Sequence, residues 1–418
     1  MRSTMRSKMS SNPIRLHFSG RVALLLTGLA GLGLAASVGC TRSLYVGSAT
    51  TSDLNPLQPD SGSTGGAPGT GGSSPTCNAP GTGGRAVTTG CATISTTPGV
   101  LNPCGRTTGI AFSPDGQLVA TATETPNPNI HIWKLSDGSL VRDLAGHGRY
   151  GSYSVAFSPD GTILATAGNA PVVDNCGVTT GPALTDNDPT VVKLWDVATG
   201  NLLREIPAAC GSYADAAQFS HDGKRLVTGG ATGSVQVWNV ADGTLLATIP
   251  TGYTSYAARF SPDDTRIVNA GYVNGGVWLS TDGSPVFPIT GLEDEMNDAA
   301  YSPDGSRILT TGDQGNLHLF DANGTLLQTI PAQPQSYFSH VVWVDDSHIV
   351  NDDWGGNVKS WTSNAAGTFV ASASWSLGMQ ALGLAVSPDK TRLAVGADGG
   401  FIFLSYQPAT PAAIIPVN

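Results

Sequence analysis

Phe157-Ser158-Pro159-Asp160-Gly161 is one copy of a five-residue phrase that recurs through most of the chain. It stands also as Phe112-Ser113-Pro114-Asp115-Gly116, Phe219-Ser220-His221-Asp222-Gly223, Phe260-Ser261-Pro262-Asp263-Asp264 and Tyr301-Ser302-Pro303-Asp304-Gly305. Trp343-Val344-Asp345-Asp346 and Val386-Ser387-Pro388-Asp389-Lys390 are weaker copies, bringing the count to seven. Steps between copies are 45, 62, 41, 41, 42 and 43 residues, and an insertion from about Asn169 to Pro189 accounts for the long one. Working outward from each phrase, an apolar run precedes it and a second run follows, such as Leu118-Val119-Ala120-Thr121. After a loop comes an alternating run ending in an aromatic, as in Val235-Gln236-Val237-Trp238. An Asp-Gly or Asn-Gly turn (Asp137-Gly138, Asp242-Gly243, Asn323-Gly324) then leads to a fourth run, for example Leu245-Leu246-Ala247-Thr248-Ile249. Such dipeptides between alternating runs are hairpin signals, and four short strands every 41 to 45 residues is the period of one propeller blade. The predicted fold is all-β: a seven-bladed β-propeller of four-stranded antiparallel blades, with repeats from about residue 106.

Composition agrees. Of 418 residues, 53 are Gly and 27 Pro, so turns are frequent, and 40% are hydrophobic, enough for a sizeable core. Charged residues make up only 12%, which excludes a long coiled coil, and 21 basic against 31 acidic residues provide no basic stripe for nucleic acid.

Val192-Lys193-Leu194-Trp195-Asp196-Val197-Ala198-Thr199-Gly200, together with the Ser-Pro-Asp turns, resembles the WD-repeat propeller family over residues 106–406. Only Trp195-Asp196 is a true Trp-Asp pair; other blades read Trp133-Lys134, Trp238-Asn239, Trp278-Leu279, Phe320-Asp321 and Trp361-Thr362. The family's Gly-His dipeptide stands at Gly146-His147, and the resemblance makes His147 structural. The resemblance also implies that the Ser-Pro-Asp and Asp-Gly turns share one face. Inter-blade loops and those between second and third strands then form the other, variable face, where a specific site belongs. Closure of the ring needs a fourth strand for the last blade, available from Ala412–Val417 or from Ala92–Leu101. The C-terminal segment is the preferred expectation.

On the variable face the sequence places Ser-Tyr pairs containing Tyr153, Tyr213, Tyr256 and Tyr337, with Tyr150 and Tyr253 nearby. Gathered tyrosines suit protein or carbohydrate recognition, whereas the alternative is that each covers its own blade. Acids collect there too: Glu293-Asp294-Glu295 with Asn297 and Asp298, Asp186 and Asp188, Asp313, and Asp352-Asp353. Oxygen ligands at that density suit calcium, but no spacing matches an established calcium loop, so a solvated acidic rim without a resident metal or other cofactor is expected.

Before position 40, five basic residues and no acidic one accompany an apolar run from Val22 to Ala36, too short to span a bilayer. Ser37-Val38-Gly39-Cys40 follows and resembles the lipobox of bacterial lipoproteins, which implies cleavage before Cys40 and lipidation of it. Residues 1–39 are thus expected to be a signal peptide. Residues 40–84, rich in Gly, Ser, Thr and Pro, form a flexible tether, and 85–418 the ring. Thr41, in place of the Asp that retains lipoproteins on the inner membrane, points to the outer membrane. Export permits disulfides: Cys176 with Cys210 would pin the insertion, and Cys91 with Cys104 is a second candidate beside Cys77.

No nucleophile elbow, phosphate-binding loop or His-Glu-x-x-His motif occurs. The expected role is a membrane-anchored platform for other proteins in the cell envelope. The rivals are a propeller hydrolase or lyase, using acids such as Asp215, Asp313 or Asp353, and a carbohydrate-binding module on the loop-rich face.

Overall fold

The computed structural model describes residues 100–101, 105–124, 129–145, 147, 151–168, 173–174, 178–179, 192–206, 214–230, 233–272, 275–290, 292, 295–331 and 340–406. Seven four-stranded antiparallel sheets are present among them, and no helix. Blades 1 to 6 occupy residues 107–144, 152–206, 214–250, 255–289, 296–331 and 341–376, each taking its strands in chain order. First strands of successive blades lie against one another around the whole ring, blade 7 against blade 1 included, so they line its axis.

Blade 7 corrects the expected closure. Its three C-terminal strands, Ala381–Val386, Arg392–Ala397 and Gly400–Ser405, are completed by Val100–Leu101, which pairs antiparallel with the last of them, Val100 opposite Ile402 and Leu101 opposite Phe401. The reason lies in connectivity. In every other junction an outer strand runs within a few residues into the next blade's first strand, and Val100–Leu101 stands in that relation to Thr107–Phe112. The insertion in blade 2 contains a short hairpin, Val173–Asp174 paired with Val178–Thr179.

Each Ser-Pro-Asp-Gly phrase is the turn between first and second strands. In blade 2 the Ser158 hydroxyl donates to Asp160 (2.6 Å) and accepts from the Ile163 N–H (2.9 Å), while the Thr162 N–H donates to Asp160 (3.0 Å). Gly161 sits at φ 74°, where an L side chain is strained, and Pro114 of the preceding blade would lie 3.5 Å from a Cβ there. Phrase therefore packs on phrase around the lower face. The two departures from Gly, Asp264 (φ 59°) and Lys390 (φ 61°), keep the left-handed backbone. Asp264 also has a use for its side chain. It accepts from the His221 and Asp222 backbone N–H groups at 2.8 and 2.9 Å and lies 2.8 Å from His221 Nδ1, tying blade 3 to blade 4.

A buried bond ties second to third strand. The indoles of Trp133, Trp195 and Trp238 donate to Thr121, Thr166 and Thr228, each at 3.0 Å; Trp278 and Trp361 donate to Asn269 and Asn351, each at 2.8 Å. In blade 2 the network extends further: His147 Nε2 lies 3.0 Å from Thr166 Oγ1. Gly168 makes room for it, since a Cβ there would come within 2.8 Å of the His147 ring. Blade 5 carries Phe320 in place of Trp, and Thr310 Oγ1 is buried without a partner.

This difference gives a paired prediction. Thr228→Val, which orphans a buried indole N–H, should cost about 1–3 kcal/mol, whereas Thr310→Val should be neutral or mildly stabilising, both read by urea unfolding. Acid sensitivity follows from the lower turns. The Ser hydroxyl in each holds the carboxyls of Asp115, Asp160, Asp222, Asp263 and Asp389 below the ordinary range. Their contribution is present above the unfolded value of about 3.9 and is lost as pH falls through the lower folded values. Melting temperature should thus drop steeply below about pH 4, and Asp160→Asn should lower stability at pH 7 more than at pH 2.

Candidate functional site

Where the innermost hairpin of a blade opens at its upper end, one residue before the first strand faces one at the end of the second. A backbone bond joins each such closing pair: the N–H of Glu124 donates to Arg106, Tyr272 to Thr254, Asp313 to Glu295, Asp352 to His340 and Asp398 to Gln380, at 3.1–3.3 Å. Because first strands line the axis, these pairs surround the upper mouth of the channel. Their side chains differ from blade to blade, unlike the uniform lower turns.

At the closing seam, Arg106 of blade 1 reaches Glu124 (3.1 Å), Asp398 (2.7 Å) and Gln380 (3.1 Å), the last two on blade 7. Burial opposes the guanidinium charge, but the two carboxylates more than offset this and hold its pKa above the ordinary value. On blade 6, His340 donates its N–H to the buried Asp352 (2.7 Å), with its Nδ1 3.0 Å from the same oxygen. Blade 5 presents two acids to each other. Partial burial, then the charge of Asp313 and a hydrogen bond with it, push the Glu295 carboxyl up to about 7. Asn297 Nδ2 donates to Asp313 at 2.7 Å. Blade 4 adds aromatic area, with Tyr253 50% and Tyr272 44% exposed.

Beneath this rim an ion pair with a buried carboxylate and a partly exposed guanidinium crosses three blades. Asp298 of blade 5 accepts from Arg259 of blade 4 (2.8 Å) and from the Val341 N–H of blade 6 (3.0 Å), and Arg259 also donates to the Val341 carbonyl.

Of the residues singled out by sequence, the structure brings Glu295, Asn297 and Asp313 together and leaves Tyr253 on the open face. Tyr153 (8% exposed) and Tyr256 (9%), each the second residue of a first strand, are buried. Asp215 lies in the first strand of blade 3, and Asp353 is buried against Asn357. Tyr150, Tyr213, Tyr337, Glu293, Asp294, Cys40, Cys91, Cys104, Cys176 and Cys210 lie outside the described residues, as do the signal peptide and tether. Sequence reading missed the seam residues Arg106, Glu124, Gln380 and Asp398, and also Tyr272. Aligning the repeats on the position before each first strand and after each second would have found them. Among the described residues no three His, Cys, Asp or Glu side chains converge as metal ligands.

The family model for the WD domain, G-beta repeat, matches residues 138–171 and 201–239. These two stretches of the propeller are WD repeats. Both matched segments begin near an outer strand, at Leu140 and Leu202, and run into the next blade, so each WD repeat straddles two blades. That offset explains why Val100–Leu101, leading the first repeat, lies in blade 7. No curated protein matches the chain.

The channel ion pair gives a graded prediction. Asp298→Ala, leaving Arg259 without its carboxylate, should cost about 3 kcal/mol, whereas Asp398→Ala, at a partly exposed pair, should cost under about 1 kcal/mol, both measured by chemical denaturation.

Proposed function

We propose that this WD-repeat propeller is a lipid-anchored interaction platform of the bacterial cell envelope that binds other proteins through its upper mouth. The observation that carries this reading is the contrast between its two faces: closing pairs that differ in every described blade, above turns that are nearly identical. Uniform turns serve the ring, while varied side chains at an open mouth suit recognition of one partner. The described cations at this rim are engaged, Arg106 by Glu124 and Asp398 and Arg259 by Asp298. Among the described residues there, Glu295 and the half-exposed Tyr253 and Tyr272 add acidic and aromatic character. A partner segment carrying Lys or Arg fits this surface, by charge and by stacking on Tyr253 and Tyr272. Anchoring rests on the lipobox-like Cys40, and the tether of some 44 residues would let the ring reach about 35–40 Å from the lipid. Outer-membrane placement rests on Thr41.

The test is retention of envelope proteins on the tagged chain in detergent, beside a Tyr253→Ala, Tyr272→Ala variant. Both tyrosines are about half exposed, so the variant should melt like the parent. A protein held by the parent and lost from the folded variant is the expected result. Equal retention would refute the mouth as the binding surface. Cys40→Ser should move the chain from the membrane to the soluble fraction, and an unchanged distribution would refute lipid anchoring.

A further inference from the structure

We propose that the outer edge of blade 6 is the docking site of a segment of this same chain, residues 86–94, which adds a fifth strand to that blade. Those residues lie outside the described ones. The outer strand concerned, Phe369–Ser376, is the longest described strand at eight residues.

Its pairing fixes which backbone groups face outward. The Leu377 N–H donates to the Gly356 carbonyl (2.7 Å), so by antiparallel alternation Ser374 and Ser376 turn their N–H and C=O groups away from the blade. The other blades guard these two register positions. Where Ser374 stands, opposite the residue two before the third-strand aromatic, blades 1, 2 and 4 carry Asp143, Glu205 and Pro288. Where Ser376 stands, opposite the residue four before it, blades 3 and 5 carry Pro250 and Pro331. Charge and proline at outward positions keep another strand from pairing with an edge. Blade 6 has neither: Ser374 and Ser376 are exposed, and Phe369–Ser376 contains no charged residue and no proline.

One end of this edge already receives a strand-like partner. The Gln328 amide of blade 5 donates to the Phe369 carbonyl and accepts from the Phe369 N–H, each at 2.9 Å. The same contact points to the occupant of the rest, because it sets the start of one outer strand against the middle of the outer strand before it. Ala373, opposite Ser360, holds the place in blade 6 that Gln328, opposite Leu319, holds in blade 5. Val100, opposite Ile402, holds in blade 7 the place of Ser374. Phe369 stands five residues before Ser374, and the same count back from Val100 brings the chain to Ala373 at about Ser95. Upstream of it lies Ala86-Val87-Thr88-Thr89-Gly90-Cys91-Ala92-Thr93-Ile94, uncharged, free of proline and rich in β-formers. Run antiparallel to Phe369–Ser376, this stretch of about 30 Å when extended passes Ser374 and then Ser376, and the chain leaves the ring at the upper rim of blade 6. A second ring touching along one strand falls short of the roughly 1,200 Å² that stable association buries, whereas a segment of the same chain pairs at high effective concentration.

Residue-resolved hydrogen exchange on the full chain in detergent tests the docking. The Ser374 and Ser376 N–H groups should exchange at least tenfold more slowly than that of Thr248, which holds the Ser374 position in blade 3. A Thr88→Pro, Thr93→Pro variant, which changes no described residue, should abolish the difference while buried Val227 stays protected. Fast exchange at both serines in the parent would overturn the proposal. So would protection that survives in the folded variant, or protection that fades on dilution, the mark of a second copy. Should the proline variant fail to fold, Ser374→Glu decides, since it copies Glu205 of blade 2 on an exposed side chain: the Ser376 N–H must then exchange as fast as that of Thr248, and unchanged protection overturns the docking.

Discussion

A ring of sheets holds together only when its last blade finds a fourth strand, because an unpaired edge exposes a row of backbone donors and acceptors and leaves the first and last blades joined by little else. Here two residues, Val100 and Leu101, supply that strand from the N-terminal side. Arg106, a few positions on, adds side-chain bonds from blade 1 to Gln380 and Asp398 of blade 7. Backbone pairing at the rim and a charged bridge at the mouth thus hold the same seam at two radii. The chain runs on from Val100–Leu101 into blade 1 as at every other junction; what it does not connect is the third strand of blade 7, Gly400–Ser405, to the fourth, which only backbone pairing joins.

Departures from the repeat have particular physical causes. Asp264 replaces a turn glycine, and the cost of its left-handed backbone is offset by three interactions across the blade junction, to His221 N, His221 Nδ1 and Asp222 N. Asn269 and Asn351 replace threonine and still receive an indole N–H, because an amide oxygen accepts as well as a hydroxyl does. Phe320 has no N–H to give, and in its blade the threonine hydroxyl is left alone. The indole bond is therefore a local brace within a blade, absent from blades 5 and 7, where Phe320 and Leu404 stand at the tryptophan position, while His147 extends it where Gly168 leaves space.

The upper mouth combines positions that the scaffold does not constrain. Each closing pair needs only its backbone bond, so its side chains are free to differ: a salt-bridged cluster at the seam, a histidine on an acid in blade 6, two acids in blade 5, aromatics on blade 4. These lie on neighbouring blades, above the Arg259–Asp298 pair, which ties blades 4, 5 and 6 together from below.

The seven phrases at steps of 41 to 45 residues, with one insertion, determined the fold, the number of blades and the strand order within each, because turn chemistry and strand alternation are local properties that a linear chain displays. Closure was not legible in them, since Ala412–Val417 and Ala92–Leu101 both stand next in the chain to a strand of the ring, and only the pairing of Val100–Leu101 with Gly400–Ser405 separates them. Nor was the burial of Tyr153 and Tyr256, which the sequence left open between a shared binding surface and cover for each residue's own blade. Pairings such as Glu295 with Asp313, 18 positions apart, or Arg106 with Asp398, separated by nearly the whole ring, are set by the tertiary arrangement alone. Distance along the chain carries no information about which residues meet once seven sheets close into a circle.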